Sequence, residues 1–171
     1  MTFKARPATP DDSVEISRIY NAGIEDRVGT FETRPRSSAD VRVWFDGRHP
    51  IVVVEDDRGG IVAFAATSMY RTRACYDGIA EFSVYVDRSR RGNGAGRIAM
   101  EAIIDAARGA GYWKLVSRVF VENVASRALL GKVGFREVGI YQRHARLDGK
   151  WRDVVIVERL IPENQPDTDS R

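Results

Sequence analysis

A glycine-rich turn between a strand-like segment and a helix-like segment is the feature that most restricts the fold of this 171-residue chain. Residues 82–86 are the β-branched and aromatic types that favour a strand, and residues 97–108 are rich in Ile, Ala and Met. Between them lie Gly92, Gly94 and Gly96. A helix that begins directly after such a turn presents free backbone N–H groups and the positive end of its dipole. The pattern therefore predicts an anion site that suits a pyrophosphate.

Two common phosphate-binding motifs do not match this turn. The Gly-Lys-Ser/Thr end of a P-loop is missing, and the turn lies late in the chain, outside the alternating parallel pattern of a dinucleotide fold. For the glycines alone, a tight turn without a ligand is an equal alternative. Arg88, Arg90 and Arg91 add positive charge beside the turn, which favours the anion site.

The rest of the pattern predicts one domain of mixed α and β structure over residues 1–162. The predicted order is one strand, two helices, three strands, then helix, strand, helix and two strands. The polar residues 163–171 offer nothing to bury, so we expect them to form a disordered tail. The predicted strands are residues 3–6, 51–55, 61–69, 82–86, 114–121, 135–141 and 151–160, and the predicted helices follow residues 9 and 37 and cover 97–108 and 124–133.

Composition excludes several classes of protein. A hydrophobic fraction of 43% with 30% charged residues is typical of a globular domain, and a net charge of +3 is too small to indicate nucleic acid or membrane binding. The single cysteine, Cys75, excludes an internal disulfide, and His49 and His144 do not have a metal-ligand spacing. We expect no metal. Without a signal-peptide pattern or an apolar stretch of ~20 residues, the expected compartment is the cytoplasm.

Two motifs together resemble the signatures of the GNAT acetyltransferases. Arg91, Gly94 and Gly96 match the first, and residues 123–135 match the second, an Asn followed by a helix and Gly-Phe. The resemblance implies a mixed, mostly antiparallel sheet of about seven strands flanked by about four helices. It also implies acetyl-CoA as co-substrate, with the turn holding the pyrophosphate and the preceding strand pairing with the pantetheine arm. The residues implied in coenzyme binding are Val84, Tyr85, Val86, Arg91, Gly92, Asn93, Gly94, Ala95, Gly96, Asn123, Ser126 and Lys132. Asn123 fits a helix N-cap equally well.

A closer resemblance is to the phosphinothricin and arsinothricin N-acetyltransferases. It implies acetylation of the α-amino group of a small glutamate-like toxin, and a homodimer. Those phosphinothricin enzymes carry a histidine before a Gly-Asn-Trp turn, whereas this chain has Asp148, which favours the arsinothricin branch or a relative acting on methionine sulfoximine. The matching residues are 6–9, 19–21, 30–35, 76–77, 81, 83–86 and 149–154.

Glu81 is the general base that this resemblance implies. An ammonium group must lose a proton to attack a thioester, so the site needs a base near both. Because Ala80 and Phe82 flank Glu81, we expect an apolar setting, with a solvent-facing strand glutamate as the alternative. The backbone N–H near Val84 is implied to bind the thioester carbonyl.

Arg71 and Arg73 are the predicted ligands of the acceptor's anionic end. On a strand they would project from the same face and present two forked donors. The resemblance places Phe31 and Tyr76 near the same pocket. The alternative is a pair of exposed arginines at a hairpin end.

The donor of a proton to the departing thiolate is left open. Many GNAT enzymes have a tyrosine where this chain has Leu130, which leaves Tyr141 or water as candidates. We assign no role to His144. Other functions that fit the motifs are acetylation of a peptide N-terminus or another amine, non-catalytic acyl-CoA sensing and, less well, nucleotide binding.

Overall fold

The computed structural model describes residues 1–165, in which seven strands form one sheet and helices cover both of its faces. This confirms the predicted mixed, mostly antiparallel architecture. The strands are β1 (Lys4–Pro7), β2 (Ile51–Glu55), β3 (Ile61–Met69), β4 (Ile79–Val86), β5 (Lys114–Phe120), β6 (Arg136–Leu147) and β7 (Lys150–Leu160). The helices are α1 (Ser13–Asp26), α2 (Ser38–Arg42), α3 (Ala95–Gly109) and α4 (Val124–Lys132).

The central strands are apolar on both faces because each face is covered. Val52 and Val54 belong to the core beneath α3 and α4, whereas Ile51 and Val53 pack with α1 and α2. A strand directs successive side chains to opposite faces, so the uninterrupted apolar run in β2 serves both cores. The sheet order is β1-β2-β3-β4-β5-β7-β6.

A gap opens between β4 and β5, the one parallel pair in the described sheet. Their pairing covers three positions and ends where Glu81 lies opposite Val116. Beyond it, the Ser117 hydroxyl donates a hydrogen bond to the Phe82 carbonyl at 2.9 Å. Because backbone direction alternates along a strand, Val84 and Val86 direct their N–H and C=O groups to the same side as Phe82. These groups have no strand partner across the gap.

Strand β6 is longer than the predicted strand that ends at residue 141. Its pairing with β7 moves from Tyr141–Val154 to Ala145–Arg152, so β6 contains two extra residues in a bulge. Arg143, within the bulge, has φ +47°. The hairpin to β7 turns through Asp148 and Gly149, whose φ angles of +50° and +76° are those of a two-residue turn of the primed type.

Ordered structure extends past the predicted domain end at residue 162. Residues Pro162–Asn164 form a short 3₁₀ turn, and the Asn164 amide donates to the carbonyls of Arg108 at 2.7 Å and Tyr112 at 2.8 Å. The chain is therefore held against the end of α3 at the point where the tail was expected to begin. The remaining part of the expected tail, residues 166–171, lies outside the described residues.

Candidate active site

The turn predicted to hold a pyrophosphate lies at the N-terminus of α3. Gly92 and Gly94 have φ angles of +78° and +91°, in the left-handed region that favours glycine, and Gly94 is the N-cap of the helix. Within residues 1–165, no group accepts a hydrogen bond from the backbone N–H groups of residues 92–97. Free amides at a helix N-terminus fit an anionic ligand. Gly96 is buried, and a Cβ there would lie 3.2 Å from the side chains of Val86 and Leu129.

The arginines beside the turn are paired with carboxylates of the same chain. Arg91 and Arg88 contact Asp26 at 2.6 and 2.7 Å, and Arg90 contacts Asp56 at 3.0 Å. Although burial raises the pKa of Asp26, the hydrogen bonds from Arg91 and Arg88 outweigh it, and the pKa is lowered. The ion pairs attach the turn to α1 and to the β2–β3 hairpin, so the backbone amides rather than free guanidinium groups are the open anion donors.

Of the three predicted coenzyme residues in β4, two face the gap between β4 and β5 and one lies away from it. Val84 and Val86 direct their backbone groups into the gap between β4 and β5. The Tyr85 ring stacks on Phe64 with centroids 5.4 Å apart and meets Tyr20 edge-on at 5.1 Å. Burial raises the pKa of the Tyr85 hydroxyl. Tyr85 therefore lies away from the gap, in the wall of the cavity described below.

Asn123 is the N-cap of α4, as the alternative interpretation expected. Its side-chain oxygen accepts a hydrogen bond from the Ser126 N–H at 3.2 Å, and its amide nitrogen donates to the Val28 carbonyl at 3.1 Å. Ser126 is half-buried in the first turn of the helix, and Lys132 is exposed at its end. Coenzyme contacts from these three residues remain a prediction.

A cavity of about 750 Å³ borders the start of the gap. Phe31 lies in its wall and meets Phe120 of β5 edge-on, with ring centroids 4.8 Å apart. Glu81 and Ser83 of β4 also line the cavity. The cavity and the gap therefore meet at the predicted base.

The expected apolar setting of Glu81 is wrong. Its Oε1 lies 3.1 Å from Arg118 Nη2 and 4.0 Å from Arg71 Nη1, and the side chain is 28% exposed. The sequence neighbours Ala80 and Phe82 are buried in the core beneath α3, because adjacent strand residues project to opposite faces. Glu81 is thus a half-buried, ion-paired carboxylate that lines a cavity.

Sequence reasoning missed Arg118 and His144, which both line the cavity. Arg118 Nη1 lies 3.4 Å from His144 Nε2. An arginine between the apolar residues Leu115, Val116, Val119 and Phe120 of β5 was a usable signal, because the parallel partner of that strand carries the predicted base. His144 had no such signal, since its position depends on the bulge in β6.

The prediction that Arg71 and Arg73 lie on a strand is wrong. Pairing between β3 and β4 ends at Met69 and Ala80, so residues 70–78 form the connection and contain one 3₁₀ turn, Ala74–Tyr76. The Arg71 guanidinium lies over the Tyr70 ring, 4.5 Å from its centroid, and reaches Glu81. Arg73 is exposed, and Tyr76 meets Tyr70 edge-on at 5.7 Å. None of the three predicted residues Arg71, Arg73 and Tyr76 lines the cavity.

A His–Asp pair whose histidine is buried forms another part of the cavity wall. His49 Nδ1 lies 2.5 Å from Asp46 Oδ2, and the His49 side chain is 6% exposed. Burial raises the pKa of Asp46, but hydrogen bonds from His49 and from the Arg48 N–H outweigh it and lower the pKa to about 2. The two residues form part of the cavity wall, and they make hydrogen bonds to each other.

Tyr141 is the side-chain candidate for the proton donor, because Leu130 has no proton to donate. Leu130, which replaces the tyrosine of many GNAT enzymes, is 1% exposed and packs in the core beneath α3. Tyr141 is half-exposed on β6, with its ring 5.1 Å from the His144 ring.

Over residues 1–165, no three His, Cys, Asp or Glu side chains form a possible metal site. Within the same range, no helix has the length and apolar character needed to cross a membrane.

Comparison with known proteins agrees with this architecture. Residues 16–135 match the model of the acetyltransferase (GNAT) family. A phosphinothricin N-acetyltransferase of Streptomyces coelicolor is 28% identical over 92% of this chain and 96% of its own length. An L-methionine sulfoximine/L-methionine sulfone acetyltransferase of Pseudomonas paraeruginosa is 29% identical over 92% of this chain and 94% of its own.

Solved structures agree as well. The GNAT superfamily phosphinothricin acetyltransferase of Sinorhizobium meliloti, solved in complex with AcCoA, superimposes with a TM-score of 0.89 and 26% identity. The superposition covers 99% of this chain and 95% of that one.

Proposed function

Because this chain belongs to the GNAT acetyltransferase family and is an acetyl-CoA-dependent N-acetyltransferase, we propose that it acetylates the α-amino group of a glutamate-like amino-acid toxin, phosphinothricin or arsinothricin. Such acetylation confers resistance to the toxin. The observation that carries the proposal is the position of the Glu81 carboxylate, where the gap between β4 and β5 meets an acceptor-sized cavity.

The residues around the turn fit the coenzyme. The free amides of residues 92–97 would hold its pyrophosphate, and the unpaired edge of β4 at Val84 and Val86 would hold its pantetheine arm. Acetyl-CoA supplies the activated acetyl thioester. Arg91 supports this site through Asp26, which fixes the turn against α1.

Glu81 acts as the base. Arg118 contacts Oε1, while Oε2 has no hydrogen-bond partner within the described residues and is free to accept a proton from the amine. The carboxylate is held by β4, a central strand, so its position is restricted before the acceptor binds.

Arg71 would bind the anionic side-chain end of the acceptor from the connection between β3 and β4, beside Glu81, and Phe31 and Phe120 would pack on its aliphatic part. Methionine sulfoximine is the second candidate acceptor. It is favoured by the Pseudomonas relative and by Asp148, which pairs with Arg27 at 3.3 Å where the phosphinothricin enzymes resembled by this chain carry a histidine. A peptide N-terminus is a third acceptor, and an acyl-CoA sensor without catalysis is disfavoured by Glu81.

We also propose a homodimer. The edge strand β6 exposes Val138, Ile140 and Tyr141, which are 45%, 54% and 53% exposed. A long edge strand with apolar side chains favours pairing with another copy of the chain. The cavity reaches β6 at His144, so a second copy on this edge would lie close to the acceptor.

The test measures acetyl transfer by the wild type and by Glu81→Gln, using release of the coenzyme A thiol as the readout. The acceptors are phosphinothricin, arsinothricin, methionine sulfoximine, glutamate and an alanine-initiated peptide. We expect turnover of an amino-acid toxin by the wild type and a loss of at least about 100-fold in kcat for Glu81→Gln. Acetyl-CoA affinity, measured by calorimetry, should change little.

Glu101→Gln is the matched control, because Glu101 is exposed on α3 and pairs with Arg97 alone. Equal losses of coenzyme affinity and turnover in Glu81→Gln would make Glu81 a structural residue. Coenzyme binding by the wild type without acetylation of any acceptor would favour the sensor.

A further inference from the structure

Two guanidinium groups share one carboxylate in the cavity. Arg118 Nη2 and Arg71 Nη1 both approach Glu81 Oε1, at 3.1 and 4.0 Å, and neither arginine pairs with another carboxylate of the described chain. These three groups therefore carry one positive charge in excess. A ligand that brings a positive amine to Glu81 would add to this excess unless it also brought a negative group.

Arg118 is the arginine that lies in the cavity wall. Its side chain is 42% exposed, and it uses one N–H on Glu81 while Nη1 faces His144 Nε2 at 3.4 Å. A guanidinium has five N–H groups in a planar fork, so others remain for a ligand in the cavity. Arg71 is outside the cavity wall, in the connection between β3 and β4, where it donates to the Tyr70 carbonyl and stacks on the Tyr70 ring.

The spacing of these charges suits an α-amino acid. In such a molecule the amine nitrogen and the carboxylate carbon are about 2.5 Å apart, because they are bonded to the same Cα. When the amine of an α-amino acid contacts Glu81, the α-carboxylate of the same molecule therefore lies beside the cation that adjoins Glu81 inside the cavity. A side-chain anion lies several bonds further from the amine, within reach of the second cation, Arg71.

We propose that Arg118 binds the α-carboxylate of the acceptor and so restricts the enzyme to free α-amino acids. His144 positions the guanidinium by its contact at Nη1. This inference rests on the proposed function, and assigns the α-carboxylate to Arg118 and the anionic side chain to Arg71. A different role for Arg118, orienting Glu81 alone, would affect every acceptor equally.

The experiment compares acceptors with and without the carboxylate. The probes are L-phosphinothricin and L-methionine sulfoximine, each as the free acid and as the α-carboxamide. For the acid that the wild type acetylates, we expect Arg118→Gln to lower kcat/KM by roughly 10- to 100-fold, mainly through KM. For the matching amide, we expect a change below about threefold, because the amide has no charge for Arg118 to bind.

Two further variants complete the design. Arg118→Lys keeps the charge without the fork, and should recover part of the lost kcat/KM for the acid alone. Arg42→Gln is the matched control, because Arg42 is an exposed arginine on α2 that pairs with Asp11. Thermal unfolding of each variant reports whether it is folded.

The outcomes separate the two hypotheses. A wild type that acetylates the acids, with Arg118→Gln reducing acid and amide equally, overturns the carboxylate assignment and leaves the proposed function standing. A wild type that prefers the amide also overturns it. A wild type that acetylates neither acid here, nor arsinothricin in the acceptor series of the proposed function, contradicts the proposed function, and the inference fails with it.

Discussion

At the scale of single residues, Asp87 joins three parts of the molecule through one carboxylate. Its side chain accepts hydrogen bonds from the Ser89 N–H and hydroxyl and from Arg18 of α1. Burial raises the pKa of Asp87, but the bonds from Ser89 and Arg18 outweigh it and lower the pKa to about 2. Asp87 therefore attaches the end of β4, and the turn that follows it, to α1.

We expect Asp87→Asn to lower the free energy of unfolding at pH 7 by about 1–2 kcal/mol. A depressed pKa stabilises the fold above the pKa of the unfolded chain, near 4, and the contribution disappears as the pH falls toward 2. Urea denaturation at pH 7, 4 and 3 measures the free energy of unfolding, and the difference in this free energy between wild type and variant should shrink at the lower pH values.

Asp105→Asn is the control for this series, because Asp105 is 74% exposed in its pair with Arg108 and should contribute little. If the free energies of unfolding of Asp87→Asn and wild type differ by the same amount from pH 7 to 3, the ionic explanation is contradicted.

Residue-level prediction from the sequence was limited by contacts between distant positions. Glu81 could be singled out because a short motif carries the resemblance. Its surroundings could not, because Arg118 is 37 residues away and His144 lies a further 26 along the chain. Such contacts depend on strand register and on a bulge, neither of which a local pattern specifies.

At the scale of elements, the start of α3 depends on a backbone conformation that costs an L-residue about 1–2 kcal/mol. Gly94→Ala would meet no atom within 4 Å, so its effect should come from the φ of +91° alone. We expect it to destabilise the fold by about 1 kcal/mol and to weaken acetyl-CoA binding several-fold, because the adjacent amides change direction. Chemical denaturation and calorimetry measure the two effects.

Gly109→Ala, in the last turn of the same helix, is the matched control. Gly109 also has open space around it but lacks a positive φ, so alanine should leave binding unchanged and stability equal or slightly higher. Equal weakening of acetyl-CoA binding by both substitutions would show that the conformation at residue 94 is not responsible.

Elements with one buried face were the ones that the sequence predicted well. The apolar positions of α3 and the hairpin residues 56–60 carry clear local signals, and both elements are present. The second half of β6 was missed because the strand is exposed along most of its length and residues 142–146 are polar or small. The edge of a sheet imposes no burial pattern that a sequence would have to follow.

At the scale of the whole molecule, the exposed apolar residues of β6 test the proposed homodimer. Ile140→Asp should convert the assembly to a monomer, because a charge on an apolar contact strand opposes edge pairing. Light scattering coupled to size exclusion measures the mass, and circular dichroism verifies the fold.

Val14→Asp is the control for the mass measurement, since Val14 is 61% exposed at the start of α1, a helix that packs on β3 and β4 in the centre of the sheet. A wild type with the mass of one chain would contradict the homodimer.

The overall architecture was predictable because two motifs in the right order resemble one family, and the family model covers residues 16–135. The mixed, mostly antiparallel sheet came with that resemblance and not from periodicity, whereas the order of the strands across the sheet, β1-β2-β3-β4-β5-β7-β6, was not predicted. The connection that carries Arg71 shows the limit, because β3 ends at Met69 as predicted, while the conformation of residues 70–78 depends on contacts such as those of Arg71 with Tyr70 and Glu81.

The meeting of the gap and the cavity at Glu81 has a consequence for the order of events. Acetyl-CoA is proposed to bind along the unpaired edge of β4, and the acceptor is proposed to bind in the cavity on the opposite side of Glu81. Neither molecule therefore has to leave before the other binds. Both can be present in a ternary complex, and the acyl group then passes directly between them without resting on a side chain of the enzyme.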